Sequence, residues 1–401
     1  MSINRVYLTP TPHLLPFGDP NAELLVDNKP LSQWQDQAFA ACGLQRIQEA
    51  TPPYLLVPEN CLISEGIITQ FLDGHSGGNA VLVLKTCRFG RNTVPVQRDV
   101  QEVENGWRFD RICIVVDEHS AYAPIEVDAN EMTLDLPINS PYLEQETIEL
   151  GFPRDPVMQL DHWVHLLWAN QMVGGMEAAR TPKWRWGLRL ILGVIKAFSF
   201  NKWKVLKAIS TQGKGCDIHP TAVIEGSHLG DNVTVGPYAR VLMSRVGDGA
   251  VIMAGAQVEF STLGEKATVS EHSVVRFCLM YPESVASQYL LQQSVLGRRT
   301  VTTGGAFTMD LNFDNPIRVV RDGELLSTGQ NFVGSAFGHR ARIGTGFWLA
   351  SGRTIPNDYL LIKSPEDTLS KIPIDLPVGE PLMVQGNTLV PVSVLKSKSP
   401  S

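Results

Sequence analysis

Between residues 218 and 281 the apolar residues return on a schedule that neither a helix nor an ordinary sheet produces. Ile218, Ile224, Leu229, Val235, Val241, Val246, Ile252, Val258, Leu263, Val269, Val275 and Met280 are separated by 6, 5, 6, 6, 5, 6, 6, 5, 6, 6 and 5 residues. Three intervals sum to 17, so Ile218, Val235, Ile252 and Val269 share one register, Ile224, Val241, Val258 and Val275 a second, and Leu229, Val246, Leu263 and Met280 a third. Spacings of 5 and 6 drift around a helix of 3.6 residues per turn. They suit a three-sided coil in which each side is a short strand with one branched residue pointing inward. Coils stacked in this way pair their backbones above and below and pile like residues on the axis, which is a parallel β-helix of hexapeptide-like repeats. Gly230, Gly247 and Gly264 each follow a residue of the third register, where a corner is expected to use the conformational freedom of glycine.

The beat drifts after Met280. An excursion is expected at 302–331, containing Asn312 and Asp314 and a strand at 317–320, and loops hung on a rigid scaffold are common places for binding groups. Phe332, Phe337, Ile343, Leu349, Ile355 and Leu360 then restore the intervals, so the scaffold is expected to continue. Residues 382–394 are expected to add one or two strands over the last coil, with a tail at 397–401. The flat outer faces of such a coil favour self-association, and a closed trimer matches its threefold cross-section.

Residues 1–160 lack the repeat. A strand at 5–8, a segment rich in proline and glycine, a helix at 31–41 stopped by Gly43, and strands at 54–57, 80–84 and 112–116 alternate as in an α/β layer. A turn is expected at 139–142 and a helix at 157–172. That helix carries Asp161, His162 and His165, which form either a relay or metal pair one helical turn apart, or capping and packing groups at a domain seam.

No acidic residue occurs between Glu177 and Asp217, while nine lysines and arginines from Arg180 to Lys214 do. Trp184, Leu188, Ile191, Leu192 and Ile195 recur at helical spacing, and Trp203 with Leu206 begins a second segment. Over residues 180–209, cations beside tryptophan and a broad apolar face suit a helix lying on an anionic membrane surface. The same pattern also fits a connector packed on the first coils, or a groove for phosphorylated substrates. A net charge of -7 provides no global field for nucleic acid, so no nucleic-acid partner is expected. The six cysteines form no Cys-x-x-Cys pair and the first residues lack a secretion-signal pattern, so the expected location is cytoplasmic, with peripheral membrane attachment as an extension.

Asn312 to Asp314, Asp322-Gly323, Ser327 to Gly329, the spaced Gly334, Gly338, Gly344 and Gly346, and Gly352-Arg353 form one pattern, and Pro30-Leu31 and Gly43 another. Together they resemble the sugar-1-phosphate nucleotidyltransferases that carry a C-terminal left-handed β-helix, with the specific match confined to 312–355. The resemblance implies an α/β Rossmann-like N-terminal domain followed by a left-handed parallel β-helix. It also implies trimeric or higher assembly, Mg²⁺-dependent joining of a sugar phosphate to a nucleoside triphosphate, and in some members transfer of an acetyl group from acetyl-CoA. Carried onto this chain, Glu59 and Asp161 are the metal candidates, Lys29, Asn312 and Asp314 the substrate-binding candidates, and His339 and His272 the candidate acyl-transfer bases. The family's glycine-rich phosphate loop corresponds here to residues 8–16, which hold three prolines and no glycine, lysine or arginine, and prolines lack the amide donors of a phosphate cradle. The expected layout is a nucleotidyltransferase-like domain at 1–176, a basic helical connector at 177–215, a β-helix at 216–365 and a cap and tail at 366–401. The expected function is transfer chemistry on a sugar nucleotide or related sugar in envelope or polysaccharide metabolism. The alternative is a catalytically inactive oligomeric scaffold or membrane-surface interaction protein.

Overall fold

The computed structural model describes residues 3–393 except 118, 138–146, 288, 365, 367, 368, 370, 371 and 378. The turn expected at 139–142 and the tail at 397–401 therefore lie outside the described residues.

The C-terminal half is a parallel β-helix. Each of the three registers read from the repeat forms a column in which every residue faces its counterpart one coil on: Ile218, Val235, Ile252 and Val269; Ile224, Val241, Val258 and Val275; Leu229, Val246, Leu263 and Met280. All but Ile218 are buried and together form the interior apolar cluster. The drift after Met280 is one coil shortened to 16 residues, since Val275 pairs with Leu291 and Met280 with Leu296.

The glycines that follow the third column do not have the backbone expected of them. A Cβ on Gly247 would lie 2.7 Å from Glu265 N, and one on Gly264 2.5 Å from Pro282 N, so what excludes a side chain is the next coil. The left-handed residues sit two positions further on, at Asn232, Gly249, Lys266 and Glu283. Mostly they are not glycine. Their conformation is held because the amides of Gly249, Lys266 and Glu283 donate to Asp231, Asp248 and Glu265 of the preceding coil.

The excursion begins later than expected. Val301–Thr302 and Phe307–Thr308 still belong to the coil, pairing with Arg342–Ile343 and Trp348–Leu349. Phe332 lies within the excursion, bridged to Leu311, and the returning column uses Leu361, which pairs with Ile343, in place of Leu360. The step from the third column to the first is six residues throughout, and Ile355 to Leu361 obeys it. Leu382–Gln385 and Thr388–Pro391 form the expected terminal strands as an antiparallel hairpin.

The N-terminal domain contains β1 (Arg5–Thr9), α1 (Leu31–Ala41), β2 (Gln45–Ile47), β3 (Tyr54–Pro58), α2 (Glu65–Asp73), β4 (Ala80–Lys85), α3 (Arg88–Thr93), β5 (Val100–Val103), β6 (Gly106–Val115), β7 (Ala123–Val127) and α4 (Trp163–Arg180). The sheet runs β7-β4-β6-β3-β1-β2, with β5 also paired to β6. It is mixed: β6 is antiparallel to both of its neighbours in this order, whereas β1 is parallel to β2 and β3. The layers are also unequal. Buried residues of α1, α2, α3 and α4 share one cluster with Val6, Leu55, Val57, Leu82 and Ile114, whereas the opposite sheet face holds a small cluster of Tyr54, Val81, Cys113 and Val115 that has no helical member. The N-terminal domain, expected to be Rossmann-like, is thus an α/β domain with a mixed sheet and lacks the all-parallel sheet of a definite Rossmann fold.

Residues 157–172 are not one helix. Val157–Gln159 pairs antiparallel with Cys61–Ile63, and α4 begins only at Trp163. His162 is its N-cap, in a capping box with His165. The histidines cap and pack; among the described residues they belong to no metal-ligand cluster.

The two halves share an apolar core. The cluster around α1, α2 and α4 also contains Leu279, Tyr281 and Val295 of the coil and Ile317, Val319 and Val333 of the excursion.

Candidate functional site

The residues singled out for chemistry fall mostly on the seam between the halves. Glu59 follows β3, and its Oε1 accepts from the Thr11 amide at 3.1 Å and from Asn21 Nδ2 at 3.0 Å. Asn21 Nδ2 also donates to Thr11 Oγ1 at 2.8 Å, so Glu59 and Asn21 pin the segment that stands where a phosphate loop was sought. The segment is turned toward the coil. Phe17 stacks on Tyr281 with ring centroids 5.4 Å apart, and Asn357 Nδ2 donates to Phe17 O at 2.7 Å. Asp161 accepts from Asn60 Nδ2 and the Arg98 amide, both at 2.8 Å, one on each carboxylate oxygen. Three of the four oxygens of these two carboxylates serve protein donors, and among the described residues neither belongs to a group of three His, Cys, Asp or Glu side chains that could hold a metal ion.

His339 was expected at a coil corner and is buried there. Its Nδ1 accepts from the Arg298 amide at 2.7 Å, so that nitrogen carries no proton, and Nε2–H donates to Asp19 Oδ2 at 2.9 Å. A ring in this state has no free lone pair with which to take a substrate proton. Burial pushes the Asp19 carboxyl up, but the His339 hydrogen bond and the charges of Arg298 and Arg340 bring it below the usual carboxylate range. The pair is a pin between the halves in place of the catalytic base carried over from the resemblance. His272 is exposed at another corner, in the left-handed conformation with φ 57°. Its ring lies over Gly255, where a Cβ would come within 2.5 Å of Nδ1.

Lys29 is exposed, 3.5 Å from Asp27 and over the Trp34 ring. It lies beside the seam, because Asp27 is bound by Arg245 at 3.1 Å and Asn28 donates to Leu263 O at 2.8 Å. Asn312 is half-buried, its amide bound to Asn331 O at 2.9 Å, and Asp314 is exposed. Among the described residues, no hydrogen bond or ion pair joins them to Lys29 or Glu59. The excursion clamps the N-terminal domain: Arg321 donates to the carbonyl of Gln97 at 2.9 Å, Asp322 pairs with Arg98 at 2.5 Å, and Val320 O meets His162 Nε2 at 3.3 Å. Sequence reasoning missed Phe17, Asp19 and Arg321 as seam residues, and no local motif marks contacts 320 residues apart, as between Asp19 and His339.

A different surface is open. α5 (Lys183–Ala197) and α6 (Lys202–Ile209) form a helical pair. Asn201 Oδ1 caps α6 by accepting from the Trp203 amide at 3.0 Å, and a Cβ on Gly193 would lie 2.8 Å from Ile209, which sets how closely the helices approach. α6 anchors the pair to the first coil through Val205, which is buried, and Leu206 O, which accepts from the Gly226 amide at 3.0 Å. The apolar face of α5 does not pack on the coils. Trp184 is 66% exposed, Ile191 59% and Ile195 64%, and Phe198 at the helix end is 98% exposed. Arg185, Arg189 and Lys196 project along one flank of that strip, since positions four and seven apart nearly align on a helix. No helix among the described residues is long and apolar enough to cross a membrane.

No protein-family profile matches this chain. No curated protein sequence matches it either.

Proposed function

We propose that the protein is a platform that lies on an anionic membrane surface through α5 and α6, carrying a β-helix and a nucleotidyltransferase-like domain fused into one body. The observation that carries this is the open apolar strip on α5 with cations along its flank. In water such a strip is unfavourable, whereas at a bilayer interface its tryptophan and aliphatic side chains leave water while the lysines and arginines meet lipid phosphate. α5 is about 22 Å long at 1.5 Å per residue, which suits a helix lying flat. The coil is read as left-handed and the assembly as a homotrimer or higher oligomer. Because α6 sits on the first coil, a threefold axis along the β-helix would place every α5 at the same end, and simultaneous contacts strengthen one another. Six free thiols favour a reducing, cytoplasmic side of that membrane.

Co-sedimentation with vesicles containing anionic lipid tests the reading. Binding is expected to fall when Lys202, Lys204 and Lys207 are replaced by glutamine, and binding unchanged by that replacement, or absent in the unmodified protein, sinks it.

A second reading keeps transfer chemistry on a sugar nucleotide, favoured by Glu59 and Thr9 lying together at the end of a mixed sheet, where the Glu59 amide donates to Thr9 O at 3.0 Å. Acyl transfer from acetyl-CoA would then fall to His272, since both ring nitrogens of His339 are engaged. Titration calorimetry with UTP, GTP and dTTP in the presence of Mg²⁺ tests it, and absence of heat with all three counts against it.

A further inference from the structure

Along the cationic flank of α5 the helix does not close against the coil, and two adjoining clefts are left. One, of about 530 Å³, is lined by Arg180, Arg185 and Arg189 from the helices and by His228 and Arg245 from the coil, with Glu177 as its single carboxylate. The other, of about 520 Å³, is lined by Lys196, Lys207 and His219 together with Ile218 and Ile224 at the open end of the coil. Thr211 in the second cleft is joined to His228 in the first by a 2.6 Å hydrogen bond through Nδ1, so the two clefts adjoin and are treated together as one cationic groove.

Six cationic side chains and one carboxylate line this groove. Part of the charge is committed: Arg245 pairs with Asp27 and with Glu177, and Arg180 Nε donates to Arg154 O at 2.7 Å. Arg185, Lys196 and Lys207 have no carboxylate partner among the described residues. Burial, and then the Arg245 charge, hold His228 below the ordinary imidazole value, so at neutral pH its second nitrogen offers a neutral hydrogen bond beside the guanidinium groups. Surplus positive charge in a concave site, with planar guanidinium donors, is matched by a group carrying two negative charges on tetrahedral oxygens.

We propose that this groove binds a phosphomonoester or diphosphate group, presented by a lipid headgroup in the membrane on which α5 lies. The inference rests on the membrane-surface reading for the source of the phosphate, but not for the groove's chemistry. The apolar strip gives attachment, and the groove beside it gives preference among anionic lipids. A phosphodiester lipid carries one charge per phosphate and a phosphomonoester lipid approaches two near neutral pH, so the groove separates them even where surface charge is matched.

The test uses the full chain with three probes. These are phosphatidylcholine vesicles containing phosphatidic acid, phosphatidylcholine vesicles containing phosphatidylglycerol at matched surface charge, and inorganic pyrophosphate in solution. Affinity for the phosphatidic acid vesicles is expected to be about tenfold higher than for phosphatidylglycerol, equivalent to one additional charge-assisted contact. Arg185→Gln combined with Lys196→Gln and Lys207→Gln is expected to bring the ratio of the two affinities to about one, with binding to both vesicles weakened because these cations also meet lipid phosphate. Ile191→Ser with Ile195→Ser is expected to abolish binding to both vesicles yet preserve the heat of pyrophosphate binding. Pyrophosphate heat without vesicle binding by the unmodified protein upholds the groove with a soluble phosphate source and overturns the membrane reading. Equal affinity for the two vesicles with no pyrophosphate heat overturns the groove and leaves the membrane reading standing. A preference that survives the triple replacement also overturns it.

Discussion

Acid should loosen the N-terminal domain through two particular side chains. His162 and His165 are buried at the start of α4, and burial holds both well below the ordinary value of 6.5, His162 at about 3, with the neighbouring His165 adding to the effect, and His165 at about 4. His165 Nδ1 accepts from the His162 amide and its Nε2 faces Pro95 O at 2.9 Å, so the folded domain holds it neutral. The unfolded chain takes up these protons near pH 6.5 and the folded chain resists until about pH 4 and 3. Stability from the pair is therefore complete above 6.5 and is lost as pH falls toward those values. Each proton contributes about 1.4 kcal/mol per pH unit across that window, so a fall from pH 7 to 5 costs roughly 4 kcal/mol for the two together.

The perturbation that isolates them is His162→Asn with His165→Gln, which keeps an N-cap acceptor and a third-position side chain able to complete the box but removes the titration. Urea unfolding followed through the buried Trp163 and Trp168, at pH 7 and at pH 5, gives the comparison. The unmodified protein should lose the full amount between the two pH values and the double variant should lose less by most of it. An equal loss in both proteins would refute the assignment, since the acid sensitivity would then belong to other groups.

Gly264→Ala should destabilise the coil by roughly 2 kcal/mol or more, because the new methyl meets Pro282 N at 2.5 Å. Gly304→Ala meets nothing within 4 Å and should be neutral or slightly stabilising, so thermal unfolding of the two variants separates clearance from backbone freedom. Ile252→Ala removes a fully buried side chain and should cost about 2–5 kcal/mol in the same assay, whereas a change under about 0.5 kcal/mol would be incompatible with a close-packed column.

The coil was legible because its physics is local and periodic: one inward residue per side, repeated, fixes register without knowledge of any distant segment. The same locality made β1, α1, β3 and β4 readable, since β1, β3 and β4 are short apolar runs bounded by turn residues and α1 is closed by Gly43 at φ 68°. What failed depended on contacts remote in sequence. Pairing with Cys61–Ile63 turns Val157–Gln159 into a strand, although only Leu160, Asp161 and His162 separate it from α4. His339 reads as a corner residue until Asp19 and the Arg298 amide occupy its ring, and neither partner is announced by spacing. The exposed strip on α5 shows the opposite case, in which the pattern was plain but the choice between packing on the coil and facing outward needed the fold.

Those remote contacts bear on whether the sheet end holds a nucleotide at all. A ligand that needs the space between this segment and the coil must first withdraw Phe17 from Tyr281 and part Asp19 from His339. Re-exposing a phenylalanine costs about 2 kcal/mol and losing a hydrogen bond to a charged group a further 1.5–3. Together that is roughly 4 kcal/mol, or about a thousandfold in apparent affinity. If a nucleotide site exists behind this closed segment, Phe17→Ala with Asp19→Ala should raise affinity for the triphosphates by up to that factor, because the binding-competent state is no longer rare. If calorimetry gives no heat with either protein, closure is not what keeps nucleotides out. The explanation then lies in the segment itself, whose prolines at 10, 12, 16 and 20 supply no amide donors and whose Thr11 amide is already given to Glu59.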